Sequence, residues 1–149
     1  MPADLHTELH GVVAERLQGR EQRYTANRRA VVEVLASTDR PLTIQQLLDR
    51  ADGLPQSSAY RNLTVLEDTG VVHRVAGSDE FARFELAEDL TDHHHHHLIC
   101  SACGSIEDFT VGAELEKTIE ETLDRAATEA GFQVDNHRLD LVGHCRRCA

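Results

Sequence analysis

The cysteines constrain this chain more than any other feature. All four fall in two Cys-x-x-Cys pairs, Cys100 with Cys103 and Cys145 with Cys148. Two thiolates at that spacing sit on one side of a tight knuckle, and two knuckles complete the tetrahedron of a structural zinc site. The fold must therefore close over the 41 intervening residues so that an internal segment meets the last one. Redox dithiols or disulfides are the competing reading. No run of 18 apolar residues exists, and Met1 to His10 carries charge and histidine where a secretory leader needs an apolar stretch. A cytoplasmic chain with no membrane segment is expected. Thiols stay reduced there, which favours zinc. Size argues the same way, because 149 residues make one large domain or two small ones, and a unit of about 60 residues buries only a marginal core. Zinc can add roughly 10–16 kcal/mol of apparent folding free energy to such a unit.

Helical periodicity fills the first 70 residues. Leu5, Leu9, Val12, Val13 and Leu17 predict one amphipathic helix. Thr25 caps a second, with Val31, Val32, Val34 and Leu35 on its buried face. Thr43 and Gln46 form a capping box ahead of Ile44, Leu47 and Leu48. A turn at Gly53 and Pro55 leads to a helix over about 58–69, capped by Ser57 or Ser58 and stopped by Gly70. Residues 71–75 and 81–86 then flank the turn Gly77-Ser78-Asp79 as a β-hairpin. Helices followed by a hairpin give the order of a winged helix-turn-helix. Beyond an acidic hinge at 87–92, the pattern predicts strands at 97–100 and 105–109, a helix over about 113–130, and a strand within 132–143. The fold class is α+β, with a winged-helix domain over 1–86 and a small α/β domain over 93–149.

The histidines stand at the junction. His93 to His97 are five in a row, running into Leu98 and Ile99. Side chains of an extended chain alternate, so His94 and His96 face one way and His95 and His97 the other. Five residues can thus serve two sites. Imidazole suits zinc, iron, nickel and copper alike, so ligand type does not name the ion. A purification tag would sit at a terminus, and a chelating tract would need no apolar strand behind it. Each face needs further donors. His137 and either Glu116 or Glu120, one helical turn apart, are candidates beside His94 and His96. Glu85 and His73, on the two hairpin strands, are candidates beside His95 and His97.

The net charge of −11 first argues against nucleic acid, but it is unevenly placed. Residues 1–78 carry nine basic and ten acidic side chains, whereas 79–149 carry six and sixteen. Arg16, Arg20, Arg23, Arg28 and Arg29 face only Glu21 in their stretch. The acidic total therefore describes the second half, and a local basic stretch enters the helix-turn-helix.

Four segments together resemble the ferric uptake regulator (Fur) superfamily of metal-responsive bacterial repressors. They are Arg23 to Arg29, Ser57-Ser58-Ala59-Tyr60-Arg61, the run from His93 through Cys100-Ser101-Ala102-Cys103-Gly104, and Gly143-His144-Cys145-Arg146-Arg147-Cys148. The resemblance implies a homodimer on double-stranded operator DNA, with an N-terminal winged-helix domain and a C-terminal α/β dimerisation domain. It implies that the four cysteines hold structural zinc. His95, His97, Glu85 and His73 would then form a regulatory hinge site, and His94, His96, His137 and one of Glu116 and Glu120 a second site. Arg23, Ser57, Ser58, Tyr60 and Arg61 match DNA-contacting positions. Ser57-Ser58-Ala59 replaces the usual Thr-Thr-Val. Pro41 and Leu42 stand where iron-type members carry a helix-loop histidine, so zinc is favoured over ferrous iron as the regulatory ion.

The expected function is metal-dependent repression of metal-homeostasis genes, not enzymatic chemistry. Rival readings are a peroxide-sensing metal repressor, a metal buffer, and a metallohydrolase. The hydrolase is disfavoured because catalytic zinc keeps an open water position, whereas these sites have donors enough to close, and no nucleophile or oxyanion motif accompanies them.

Overall fold

The computed structural model describes residues 3–91 and 94–149. Helices α1 (Ala3–Gln18) and α2 (Ala26–Ala36) come first, then the short strand β1 (Leu42–Thr43), α3 (Ile44–Arg50) and α4 (Gln56–Asp68). The hairpin β2 (Val72–Ala76) and β3 (Ala82–Leu86) follows, with a 3-10 turn at Glu88–Leu90. The second half holds β4 (His96–Cys100), β5 (Ile106–Phe109), α5 (Ala113–Glu129) and β6 (Asp140–Gly143). This is the α+β winged helix-turn-helix followed by a small sheet and helix that the sequence predicts.

Local chemistry accounts for most boundaries. Thr25 caps α2 by accepting from the Arg28 amide, and Thr43 with Gln46 forms the full capping box of α3. Gly70 ends the α4 region at a φ of +73°, open to glycine at no steric cost. One boundary differs from expectation. α4 begins at Gln56 behind Pro55 with no side-chain cap, so Ser57 and Ser58 lie inside its first turn. Proline fixes its own φ near the helical value, which favours an early start. The strand predicted within 132–143 is also shorter, since only Asp140–Gly143 pairs with a neighbour.

One core holds the first half together. Val13, Leu17, Val31, Val32, Leu47, Leu63 and Leu66 are buried with Leu42 and Phe84 from the sheet β1-β3-β2. The second sheet runs β5-β4-β6, with β4 antiparallel to β5 and parallel to β6. A small cluster of Val75, Ile99 and Ile106 joins hairpin to second sheet. The hairpin turn reinforces that contact: Ser78 Oγ donates to Cys100 O (2.6 Å), and Asp79 lies where any side chain on Gly104 would collide with it.

α5 is the exception. Its predicted apolar face, Leu115, Ile119, Leu123, Ala126, Ala127 and Ala130, buries nothing fully within this chain, and β6 is exposed along its length.

Candidate metal centres

Three groups of donors converge, and β4 supplies or adjoins all of them. On one side of the strand His94, His96, Glu116 and His137 each bring a donor atom to within 4.8 Å of the others. His96 Nε2 lies 2.8 Å from Glu116 Oε2, His137 Nε2 lies 2.9 Å from Glu116 Oε1, and the Nε2 atoms of His94 and His137 are 3.1 Å apart. Glu116 therefore stands in the group. Glu120, one turn further along α5, is exposed and outside it.

On the other side Glu85, His95, His97 and Asp108 form the second group. Glu85 Oε2 is 2.9 Å from His95 Nε2 and 3.2 Å from His97 Nε2. Asp108 stands 3.6 Å from His97 and 3.8 Å from His95. The alternation expected of the histidine run is thus what the backbone delivers. His93 lies outside the described residues. His73 faces Glu85 across the hairpin register, but it is exposed and does not join the four donors.

Asp108 is the donor that sequence reasoning missed. The first Cys-x-x-Cys knuckle is itself the turn of the β4–β5 hairpin, and pairing outward from it sets Ile99 against Ile106 and His97 against Asp108. Directly opposed residues share a face. Counting back from the knuckle would have found it.

The electrostatics fit a cation at this point. Burial alone would raise the Glu85 carboxyl, but hydrogen bonds from His95 and His97 outweigh it and hold the group at about 2. Burial also works against the His97 imidazolium, yet its hydrogen bond to Glu85 and the charges of Glu85 and Asp108 raise its pKa. Asp108 is the strained member. Burial pushes its carboxyl up to about 6 despite the nearby histidines, and its Oδ1 is buried with no hydrogen-bond partner among the described residues. An unpartnered buried carboxylate oxygen is costly, and a divalent ion among two imidazoles and two carboxylates removes the cost.

The third group is Cys100, Cys103, Cys145 and Cys148. Cys103 Sγ and Cys145 Sγ are 3.7 Å apart. With Zn–S bonds of about 2.3 Å, a tetrahedral site has S···S edges of about 3.8 Å. The backbone N–H of Cys145 donates to Cys100 Sγ (3.4 Å), and with that of Cys103 it lowers the Cys100 thiol pKa. The thiols of Cys145 and Cys103 push that of Cys148 up. One divalent cation would draw all four into the thiolate form. The parallel β4–β6 pairing, with Cys100 opposite Gly143, carries the two knuckles together.

In the first half, Ser57, Tyr60 and Arg61 are exposed on α4, Ser58 is half-buried, and Arg23 is exposed just before α2.

The profile of the ferric uptake regulator family matches residues 20–142. The chain belongs to the ferric uptake regulator family. Among its relatives, the ferric uptake regulation protein of Bacillus subtilis (strain 168) is 26% identical over 141 residues, which cover 91% of each chain. The peroxide-responsive repressor PerR of Staphylococcus epidermidis is 30% identical over 130 residues, covering 85% of this chain and 81% of that one. The crystal structure of the Vibrio cholerae ferric uptake regulator superposes with a TM-score of 0.67 at 28% identity, covering 88% of this chain and 98% of that one. Membership places this chain among the metal-responsive regulators of the Fur type.

Proposed function

We propose that this chain is a metal-dependent, DNA-binding transcriptional repressor that acts as a homodimer. The observation that carries the reading is the position of the Glu85, His95, His97 and Asp108 group. Glu85 belongs to the winged-helix hairpin, and the other three belong to the second half. An ion held by all four ties the halves together. The domains are proposed as 1–86 and 93–149 with 87–92 the hinge segment between them, its first part, 87–90, moving with the winged-helix half. In the dimer, bound metal would fix two α4 helices at the spacing of successive major grooves, roughly 34–36 Å in dimeric helix-turn-helix proteins. Shifting a two-state equilibrium from 1:99 to 99:1 takes about 5.5 kcal/mol of differential affinity. A four-donor site split between two domains suits that task, because opening the domains removes a ligand.

The partner sites follow from the same geometry. The four cysteines would hold structural zinc, and His94, His96, Glu116 and His137 a second ion. The exposed apolar side chains Leu115, Leu123, Leu141 and Val142 on α5 and β6 support the dimer, since a second copy would cover them. Tyr60 and Arg61 on α4, with Ser57 and Ser58, would meet bases and phosphates, and Arg23 would reach the minor groove. The acidic second half, held off the phosphates by a closed arrangement, then costs little binding.

The Glu85 group contains no thiolate, so the softness that selects zinc over ferrous iron is lacking there. The regulatory ion is proposed as Zn2+ or Fe2+ on that donor set. Its relatives are named for ferric uptake regulation and for a response to peroxide. A peroxide sensor would use the same site with ferrous iron, and peroxide would then add oxygen to a histidine of the His93–His97 peptide, read by mass spectrometry.

The test is to titrate the purified dimer, its cysteine site filled, with zinc, ferrous iron, manganese and nickel in parallel, following binding to promoter DNA. Binding should appear with the regulatory ion and vanish with a chelator that leaves the cysteine site filled. Equal DNA binding with and without added ions contradicts a repressor function that depends on metal.

A further inference from the structure

Both histidine faces touch one short turn of the N-terminal half. In the Glu88–Leu90 turn the preceding Ala87 is 1% exposed and donates its N–H to Val71 O (2.9 Å), and Leu90 packs against the winged-helix core. The backbone here is mechanically part of the winged-helix half. Glu88 reaches the other way. Its Oε2 accepts from His94 Nδ1 at 2.8 Å, and its Oε1 accepts from the backbone N–H of His95 at 3.4 Å. Its own carbonyl is held by Thr91 Oγ1 (2.9 Å). The next residue, Asp89, pairs with Arg16 of α1, whose guanidinium also donates to Gly70 O (2.8 Å) just beyond α4.

We propose that Glu88 is a positioning residue through which the winged-helix half sets both histidine faces at once. One oxygen holds His94 as its Nδ1–H tautomer, so that Nε2 is the atom aimed at His96, Glu116 and His137. The other fixes the backbone from which His95 reaches Glu85 and Asp108. A carboxylate behind a metal-facing imidazole fixes the ring and its tautomer, and its loss typically costs about 10–100-fold in metal affinity. Because the same turn is anchored at Val71 and, through Asp89 and Arg16, at Gly70, an ion on either face is felt at the C-terminal end of α4. The Asp89 arm is the weaker one, since Asp89 is two-thirds exposed and such ion pairs contribute little. The inference rests on the two faces being metal sites.

The test uses full-length dimer with zinc in its cysteine site, as wild type, Glu88→Ala and Glu88→Gln. In the metal-free faces, imidazole 15N shifts report the His94 tautomer. Co2+ titration, followed by visible absorption, reports affinity at each face. Glu88→Ala is expected to lose the Nδ1–H preference and to bind Co2+ at the His94 face about 10–100-fold more weakly. Glu88→Gln keeps its volume and one acceptor oxygen and should fall between, which decides the matter if the alanine variant does not fold. Wild-type Co2+ affinity and an unchanged His94 tautomer in both variants overturn the role of Glu88 while leaving the proposed function standing. A wild-type protein that takes up no Co2+ beyond the cysteine site overturns both.

Discussion

The cysteine group and the Glu85 group both draw on the small sheet β5-β4-β6, yet they are built from different parts of the molecule. Cys100, Cys103, Cys145 and Cys148 all come from the second half, joined by the parallel pairing of β4 with β6. The Glu85 group takes one donor from the hairpin of the first half and three from the second. The first arrangement can hold a domain in shape but has no lever on its neighbour. The second can convert ion binding into a relation between domains. The donor chemistry agrees: four thiolates close tightly on zinc, whereas two imidazoles and two carboxylates make a site that an ion can leave.

The largest expected effect is on folding. Cys145→Ser is expected to abolish the cooperative melting of the second half, on the scale of the roughly 10–16 kcal/mol that structural zinc supplies to small domains. Far-UV circular dichroism on heating checks it. A variant that keeps its melting transition and loses only metal-dependent DNA binding would reverse the roles of the two groups. Next in size, Glu85→Ala is expected to remove the dependence of DNA binding on metal, about a 100-fold loss at saturating ion on the 1–3 kcal/mol or more that such coupling carries. Zinc content at the cysteines should be unchanged, as metal analysis reads.

Arg61→Ala should act on neither group. It is expected to weaken binding to promoter DNA by about 5–150-fold, the 1–3 kcal/mol of a specific contact, with metal uptake unaltered. Fluorescence anisotropy on labelled DNA reads the first and chelator competition the second.

The smallest expected effect has two parts of opposite sign. Asp108→Asn should weaken metal binding at the Glu85 group but stabilise the metal-free protein. Asp108 ionises at about 6 in the fold against its ordinary 3.8, so the folded protein binds this proton more tightly than the unfolded chain. The associated stability is present below about 3.8 and is lost as pH rises through about 6. The advantage of Asp108→Asn over wild type should therefore grow between those limits and level off above, by up to roughly 6–12 °C in the metal-free midpoint. Thermal melts between pH 4 and pH 8 check it.

Much of this was legible in the residues. Caps, glycine stops and periodicity placed the helices because they are local signals, and alternation along an extended chain divided the histidines because β4 is a regular strand. What escaped depends on pairing or on tertiary contact. Asp108 is set by strand register, Glu116 over Glu120 by which turn of α5 meets His96 and His137, and Glu88 by a turn whose anchor is the distant Val71 carbonyl. The face of α5 has the pattern of a buried stripe, but among the described residues nothing buries it fully. The acidity of 87–92 suggests a hinge, and what it does not show is that Ala87 is buried and Leu90 packs against the winged-helix core, so that 87–90 is tied to the first half.

Reciprocity gives the most direct measurement of the central claim. If an ion at the Glu85 group favours the DNA-binding arrangement, DNA must raise the affinity of that group for the ion by the same factor. The affinity of the zinc-filled dimer for the regulatory ion should be measured by chelator competition, with and without saturating promoter DNA, in wild type and in Glu85→Ala. An increase of at least about 10-fold with DNA in wild type, absent in Glu85→Ala, is the predicted result. Equal affinity with and without DNA would contradict the claim.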